Sequence, residues 1–255
     1  MVSYAGRHAT YYDIFYADKP YAQEAEFVHQ CLRHFQRGET RKILDLACGT
    51  GTHAIILEGL GYNVIGVDHS GDMLARAREK AEKSSSDVVF LLQDMRALEF
   101  PGETLDAVIC LFDSLGYVES NSAIADVLRG VHNLLRPDGL FLFEFWHAGA
   151  MLTSYEPVRV RRWPTAYGDL LRIGETKLDV ARQLAQVTYT IYDLHHDGTY
   201  SQMSETQSNR YFLVQEMDAF LSSAGFCPEK WFDGFSTQEI IDRSTWHVLA
   251  VTRRG

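Results

Sequence analysis

The chain has 255 residues, of which 46% are hydrophobic and 23% are charged. These proportions are ordinary for a globular protein, and they exclude a disordered or collagen-like chain. The formal net charge of −10 disfavours a nucleic-acid partner, because proteins that bind phosphate backbones usually carry a basic excess or a basic stripe. We therefore expect a folded protein that does not act on DNA or RNA.

The four cysteines are scattered, with no C-x-x-C pair and no histidine nearby at metal-ligand spacing. We expect no metal centre, and this cysteine usage is typical of a reduced, cytoplasmic compartment.

The first residues lack the apolar core of a signal peptide, and no later run approaches the roughly 18 apolar residues of a membrane span. We therefore predict no membrane partner. The sequence leaves the oligomeric state open, with a homodimer as one candidate.

The first 40 residues precede the first predicted strand. Residues 11–25 are unusually rich in tyrosine, and residues 20–36 have the apolar spacing of an amphipathic helix that packs ahead of that strand. From residue 41 onwards, short β-rich runs alternate with helical patterns, as in right-handed βαβ units. The predicted strands are 41–46, 63–68, 88–93, 105–111 and 139–145. The predicted helices lie near 52–60, 70–83 and 121–135.

Two local signals mark boundaries in this part of the chain. Ser70 can accept a hydrogen bond from the first turn of the helix near 70–83, so we predict that it is the N-cap. Residues 136–139, Arg-Pro-Asp-Gly, are typical of a turn that ends one helix and releases the next strand.

The pattern changes after the fifth predicted strand. Residues 150–213 contain alternating stretches typical of antiparallel strands, which indicates an insertion. A helix near 214–224 then leads to strands near 226–234 and 246–253, which leave no room for a helix between them and should pair antiparallel. The sequence therefore predicts an α/β fold with a doubly wound, mostly parallel seven-stranded sheet. We expect one domain over residues 1–255, with the antiparallel β insertion after the fifth strand.

The most informative run is residues 43–54, where an apolar strand meets small residues and then a helix. Glycines at such a turn permit tight backbone geometry and let a ligand approach the main chain. Gly49 and Gly51, followed by Ala54, also satisfy the dinucleotide fingerprint of NAD enzymes. The glycine spacing alone therefore leaves an NAD-dependent oxidoreductase open as one alternative.

Acidic residues around this turn favour a cationic cofactor. Asp45 lies in the strand ahead of the glycines, where its carboxylate would attract a positively charged amino group and would offer a pyrophosphate nothing. Asp68 ends the second predicted strand, about 20 residues past the glycines, and can accept both hydroxyls of a ribose.

With these acidic residues the run resembles motif I of the class I S-adenosylmethionine-dependent methyltransferases. The resemblance covers residues 41–145 and implies a Rossmann-like methyltransferase fold with S-adenosylmethionine as the cofactor. It implies that Asp94 accepts from the adenine amino group, that Met95 offers its backbone N–H, and that Met73 packs against the adenine face. The predicted cofactor site comprises Tyr12, Tyr21, Asp45, Ala47, Gly49, Gly51, Asp68, Met73, Asp94, Met95, Leu111 and Phe112.

The tyrosine-rich stretch resembles the N-terminal segment of nucleotide-linked 3-amino-sugar N-methyltransferases of the desosamine and mycaminose type. In that family the segment folds over the cofactor as a lid, which implies a lid role for residues 1–40. The tyrosine that matches Tyr16 lies near the acceptor amine in that family. The resemblance therefore implies that Tyr16 belongs to the catalytic site and that Tyr12 and Tyr21 lie near the cofactor.

Methyl transfer from a sulfonium is an in-line displacement, so alignment and desolvation of the acceptor should contribute most of the acceleration. An amine that is protonated at neutral pH must first lose a proton. His147 is our candidate base, because it follows the fifth predicted strand at the carboxyl edge where ligands of open α/β sheets bind.

The insertion follows the same strand, so we expect it to complete the acceptor pocket. Its residues 158–163 carry arginines that could grip a pyrophosphate and a tryptophan, Trp163, that could stack on a base. This region does not match the amino-sugar enzymes. We predict methyl transfer to a small-molecule acceptor, most simply an amine such as an amino sugar, in a nucleotide-linked form or free. An O-methyltransferase and a non-catalytic protein that senses the cofactor stay open beside the oxidoreductase.

Overall fold

A computed structural model of the protein describes residues 7–100, 102 and 104–255. The large sheet contains β1 (Lys42–Leu46), β2 (Asn63–Asp68), β3 (Val89–Leu92), β4 (Leu105–Cys110), β5 (Leu135–Trp146), β10 (Phe226–Asp233) and β11 (His247–Arg254). The small sheet contains β6 (Val158–Thr165), β7 (Gly168–Asp179), β8 (Leu184–His195) and β9 (Tyr200–Arg210). The helices are α1 (Arg7–Phe15), α2 (Tyr21–Phe35), α3 (Thr52–Gly59), α4 (Gly71–Ser84), α5 (Asn121–Leu134), α6 (Ala148–Ser154) and α7 (Val214–Ser223), with a 3₁₀ helix at Ser114–Val118.

The large sheet has the strand order β10-β11-β5-β4-β1-β2-β3. Its neighbouring strands pair in parallel except β11, which is antiparallel to both β5 and β10. The predicted doubly wound, mostly parallel sheet of seven strands is confirmed, and so is the antiparallel pairing of the last two strands. Because the strand order reverses between β1 and β4, the carboxyl ends of these two strands frame the crevice in which open α/β sheets bind ligands.

Helices cover both faces of the large sheet, so its strands are apolar on both sides. Buried side chains of α2, α3 and α4, such as Leu32, Leu57 and Leu74, pack on one face. Buried side chains of α5 and α7, such as Leu128 and Leu221, pack on the other. This double burial explains the nearly continuous apolar runs from which the strands could be predicted.

The predicted helix cap at Ser70 is present, since its side chain accepts a hydrogen bond from the backbone N–H of Met73 at 3.3 Å. The boundary of β5 differs from the prediction. This strand begins at Leu135, and the predicted turn lies inside it as an irregularity where the pairing with β4 shifts and Asp138 has φ +63°. The turn residues therefore interrupt the register of the strand and do not precede the strand.

The small sheet is antiparallel throughout, with the order β6-β7-β8-β9, and it lies within the predicted insertion. Alternate residues of each strand share a face, as in any β-strand. On β7 the more buried face carries Leu170, Arg172 and Gly174. The insertion begins with α6, a helix of seven residues that the sequence did not predict, because so short a run shows no helical period.

Helix α1 lies between the two sheets. Tyr12 packs with Met73 of α4 on the large-sheet side, whereas Phe15 packs with Leu170 and Ile191 of the small sheet. Across the part of the chain given coordinates above, no helix combines the length and apolar character needed to cross a bilayer.

Candidate active site

A cavity of about 580 Å³ lies between the carboxyl edge of the large sheet and the more buried face of the small sheet. Asp68 and Met73 line it from the large-sheet side, and Arg172 and Tyr189 line it from the small sheet. Tyr12 of α1 and Tyr16, the residue that follows this helix, line it as well. A ligand in this cavity would therefore touch both sheets and the N-terminal helix at once.

The turn after β1 and the end of β2 form one wall. Gly49 has φ +56°, which a residue with a side chain rarely adopts, and a Cβ there would lie 3.3 Å from Cε of Met73. Its N–H donates to Oδ2 of Asp68 at 2.9 Å, and the N–H of Ser70 donates to Oδ1 at 2.8 Å. Burial raises the pKa of Asp68, and these two donors oppose that rise. The carboxylate is thus held at the cavity wall by the glycine turn.

Asp45 is nearly fully buried, with 3% of its surface exposed. Its Oδ2 has no hydrogen-bond partner among the described residues, and burial raises the pKa of its carboxyl to about 8. Asp45, Ala47 and Leu111 border a small second cavity of about 40 Å³ that shares Gly49 and other residues with the large one. An unpartnered carboxyl oxygen at this place fits a cationic ligand group, because a buried acceptor without a partner is costly and a cation would favour the ionised form.

The other predicted cofactor residues divide into two groups. Met73, Met95, Ala47 and Phe112 line the large cavity. Gly51 and Asp94 do not belong to either cavity wall.

A Cβ on Gly51 would lie 2.6 Å from the ring of Phe90, so packing alone requires a glycine here. Asp94 forms an ion pair with Arg96, with 3.0 Å between Nε and Oδ2. Its role at the adenine stays a prediction that this placement does not favour.

The tyrosines of the predicted lid lie against the cofactor wall. The rings of Tyr12 and Tyr16 are 4.7 Å apart, and Tyr16 meets the edge of Phe112 at 5.0 Å. Tyr21 borders the small cavity beside Asp45.

A polar tie joins α1 to α4 and to the turn after β1. Oδ1 of Asp13 accepts from Lys80 at 2.6 Å and from the Thr50 hydroxyl at 2.8 Å. This tie holds the first helix against the glycine turn.

Three residues that the sequence did not predict form a charged cluster beside the cavity. Nδ1 of His247 on β11 lies 2.9 Å from Oδ2 of Asp113 and 3.3 Å from Oε1 of Glu144. Burial lowers the pKa of His247, but the two carboxylates outweigh it and raise it to about 11. The imidazole is therefore a cation at neutral pH and donates from Nδ1 to the acidic pair. Burial raises the pKa of Asp113 to about 6.

The backbone at this cluster is unusual. Phe112 and Asp113 both have φ +57°, a conformation that residues with side chains adopt rarely, and the N–H of Phe112 donates to Oε2 of Glu144 at 2.7 Å. The Asn209 side chain of β9 donates to the backbone oxygen of Asp113 at 3.1 Å. Such strain persists only where the surroundings enforce it, and it is concentrated at functional sites.

His147, the predicted base, does not line the cavity. Only 7% of it is exposed, and its backbone N–H donates to the oxygen of Trp246 in the loop before β11 at 2.9 Å. Burial lowers its pKa, and the nearby backbone of Thr245 and Asp242 opposes this effect. A catalytic role for His147 stays a prediction, and the cavity presents His247 instead.

The run 158–163 is divided between the two faces of β6. Arg159 and Arg161 line the cavity, whereas Arg162 pairs with Asp169 and does not line it. The ring of Trp163 packs on Phe15 at 4.7 Å, so its face is already occupied by an aromatic neighbour. Stacking of Trp163 on a base therefore stays a prediction that this contact does not favour.

Comparison with known proteins identifies the family to which this chain belongs. Residues 43–139, which contain the glycine turn and both Asp45 and Asp68, match the family described as "Methyltransferase domain". The YqeM protein of Bacillus subtilis (strain 168), which carries a provisional methyltransferase name, is 30% identical over 224 residues, 86% of this chain and 84% of its own. The chain belongs to the S-adenosylmethionine-dependent methyltransferases. This membership decides against the NAD-dependent oxidoreductase and against a non-catalytic sensor.

Two further comparisons bear on the fold and on the resemblance. The crystal structure of an S-adenosylmethionine-dependent methyltransferase from Clostridium acetobutylicum ATCC 824 superposes with a TM-score of 0.83 at 19% identity, over 96% of each chain. The dTDP-3-amino-3,4,6-trideoxy-alpha-D-glucopyranose N,N-dimethyltransferase of Streptomyces venezuelae is 32% identical over 141 residues, 54% of this chain and 57% of its own. The predicted resemblance to amino-sugar N-methyltransferases is thereby confirmed.

Proposed function

We propose that this methyltransferase transfers the methyl group of S-adenosylmethionine to an amine of a small molecule that binds in the cavity between the two sheets. The observation that carries the proposal is the continuity of that cavity, which Asp68 and Met73 line on one side and Arg172 and Tyr189 on the other. A volume of about 580 Å³ suits small ligands and leaves no place for a macromolecular acceptor inside it.

We assign the cofactor to the large-sheet wall. Asp68 would accept the ribose hydroxyls, Met73 would pack on the purine, and the unpartnered Oδ2 of Asp45 would face the methionyl amino group. The bound cofactor supplies a methyl group on a cationic sulfur, which is a highly activated donor. What the chain must add is alignment, desolvation and the correct protonation of the acceptor.

The choice of an amine rests on two supports. The relative from Streptomyces venezuelae is named for N,N-dimethylation of an amino sugar. The charged cluster at the cavity carries two carboxylates and one imidazolium, and this net negative charge would attract an ammonium group.

Proton removal from such an ammonium falls to the same cluster. Because His247 is already protonated at neutral pH, it would act as a hydrogen-bond donor and not as a base. Asp113 has a pKa raised to about 6 and lines the cavity, so we assign to it the role of proton acceptor. Tyr16, which lines the cavity and meets the edge of Phe112 next to Asp113 in the chain, would help to orient the amine.

The test is a paired turnover assay that follows release of S-adenosylhomocysteine by mass spectrometry. Each pair contains an amine and its hydroxyl counterpart, such as glucosamine and glucose, so that both the mass and the fragmentation of the product show which atom was methylated. We expect methylation of nitrogen and no methylation of the hydroxyl counterpart. Methylation of the hydroxyl compounds alone would favour the O-methyltransferase instead.

A further inference from the structure

Arg172 is the most conspicuous group in the cavity that neither the cofactor nor the transfer step uses. It lies on β7, lines the cavity, and exposes only 8% of its surface. Its Nη1 is fully buried and has no hydrogen-bond partner among the described residues. Of the ion pairs between described residues, none includes Arg172, although arginines elsewhere in the small sheet, such as Arg159 and Arg162, have carboxylate partners.

Aromatic rings surround the guanidinium in place of a carboxylate. Its Cζ lies 4.5 Å from the ring centre of Phe15, and 5.0 Å from those of Trp163 and Tyr189. Such rings attract a cation and keep it in one orientation, but they do not accept the in-plane N–H groups of a guanidinium. Burying a cation is costly unless it is both paired and hydrogen-bonded. Arg172 therefore has the surroundings of a site that is completed by an anionic partner.

The neighbouring residues keep this place open and cationic. Gly174, two residues along the same face of β7, has no side chain, and a Cβ there would lie 3.2 Å from the ring of Tyr189. Arg161 of β6 lies opposite Arg172 in the strand register and also lines the cavity. It forms no ion pair with a described residue. The carboxylates of the transfer cluster come from the large-sheet side, Glu144 from β5 and Asp113 from the turn after β4.

We infer that Arg172 binds an anionic group of the acceptor, a carboxylate or a phosphate, while the amine of the same molecule faces the charged cluster at the large sheet. This inference rests on the proposed function and narrows its substrate class to small molecules that carry both an amine and an anion. A guanidinium suits either anion, because its planar N–H donors match two oxygens at once. Arg172 is then a specificity-determining residue that holds one end of the acceptor.

Calorimetry of the full chain saturated with S-adenosylhomocysteine tests the anion site directly. The probes are inorganic phosphate and acetate. Arg172→Met keeps the length and apolar bulk of the side chain but removes the charge and the donors. The control is Arg182→Met, which removes the same charge from the turn between β7 and β8, where the side chain is 65% exposed.

We expect saturable binding of at least one anion to the wild-type chain. Arg172→Met should weaken it by about tenfold or more, the scale of a charged hydrogen bond, whereas Arg182→Met should leave it unchanged. Arg172→Lys should restore part of the affinity, because an ammonium keeps the charge but loses the planar pair of donors. Equal affinity in wild type and Arg172→Met, or no saturable binding of either anion to wild type, would overturn the inference. Unchanged binding of S-adenosylhomocysteine by each variant shows that it is folded.

Turnover of matched amines separates the two sources of the anion. Glycine is compared with glycinamide, and glucosamine 6-phosphate with glucosamine. In at least one of these pairs, we expect a higher kcat/KM for the anionic member than for the neutral one. Arg172→Met should abolish this preference, chiefly by raising the KM of the anionic member. Equal kcat/KM for both members of every pair that reacts would contradict the inference and leave the amine proposal standing. If the anion binds through Arg172 but none of these amines is methylated, the amine proposal is contradicted and the anion site is still supported.

Discussion

The two walls of the cavity are built in different ways. On the large-sheet wall, the functional side chains come from short contiguous runs, since Asp45, Ala47 and Gly49 lie within five residues of one another and Asp68 ends the adjacent strand. On the small-sheet wall, Arg172 and Tyr189 come from separate long strands that only antiparallel pairing brings together. A single local turn therefore positions most of the cofactor wall, whereas each residue of the acceptor wall can be substituted on its strand without altering that turn.

A side chain added at the local turn should have the most severe consequence for the cofactor wall. We expect Gly49→Val to abolish binding of S-adenosylhomocysteine at millimolar concentration, because φ +56° strains a β-branched residue and the added carbons approach Met73. Calorimetry measures the loss. Gly59→Val is the control, since a Cβ at Gly59 meets nothing within 4 Å. Equal binding in both variants would show that the turn does not form the cofactor wall.

The buried carboxyl of Asp45 gives a stability test. Its folded pKa of about 8 lies above the unfolded value, so the folded state binds a proton that the unfolded state has already lost. The contribution of Asp45 to stability should therefore be greatest at low pH, fall by at most about 1.4 kcal/mol per pH unit as pH rises toward 8, and level off above it.

Urea unfolding of the cofactor-free protein between pH 5 and 9 measures this dependence. Asp45→Asn removes the titrating group. The difference between the free energy of unfolding of this variant and that of wild type should therefore shift in favour of the variant as the pH rises. Parallel pH profiles for the two proteins would show that Asp45 is not held protonated in the fold.

Asp68 ends β2 and Asp94 lies two residues after β3, yet they differ in their relation to the cavity. Asp68 lines the cavity, whereas Asp94 pairs with Arg96 outside it. We expect Asp68→Ala to weaken cofactor binding by about 1–3 kcal/mol, the cost of losing a charged hydrogen-bond partner. Asp94→Ala should have a much smaller effect. If both variants lost the same free energy of cofactor binding, Asp94 would contribute to the cofactor site as the sequence predicts.

The smallest expected effect concerns the two histidines. His247 lines the cavity as a hydrogen-bond donor, whereas His147 immediately precedes α6 and does not line the cavity. We expect His247→Gln to lower kcat by about tenfold at neutral pH, because one positioned donor is worth little more than 1 kcal/mol. His147→Gln should leave kcat nearly unchanged. The opposite ranking of the two variants would return the catalytic role to His147.

Most of the fold could be predicted from the sequence, because buried parallel strands and amphipathic helices have local signatures. The glycine turn, Asp45 and Asp68 carry such signatures too. His247 carries none, because it becomes a cavity residue only when β11 pairs with β5 and brings it to Glu144 and Asp113. The sequence does not predict Arg172 as a site residue either, although the alternation of Leu170, Arg172 and Gly174 indicates that they share one face of β7. Both residues are placed by long-range strand pairing, which no short window of sequence reveals.

A crystal structure of the full chain with S-adenosylhomocysteine tests the central claim most directly. We predict that the ribose lies against Asp68 and that the sulfur faces the space between Tyr16 and His247, open to Arg172 across the cavity. A nucleoside bound elsewhere on the molecule, or a sulfur turned away from the small sheet, would contradict the claim that one cavity holds both the donor and the acceptor.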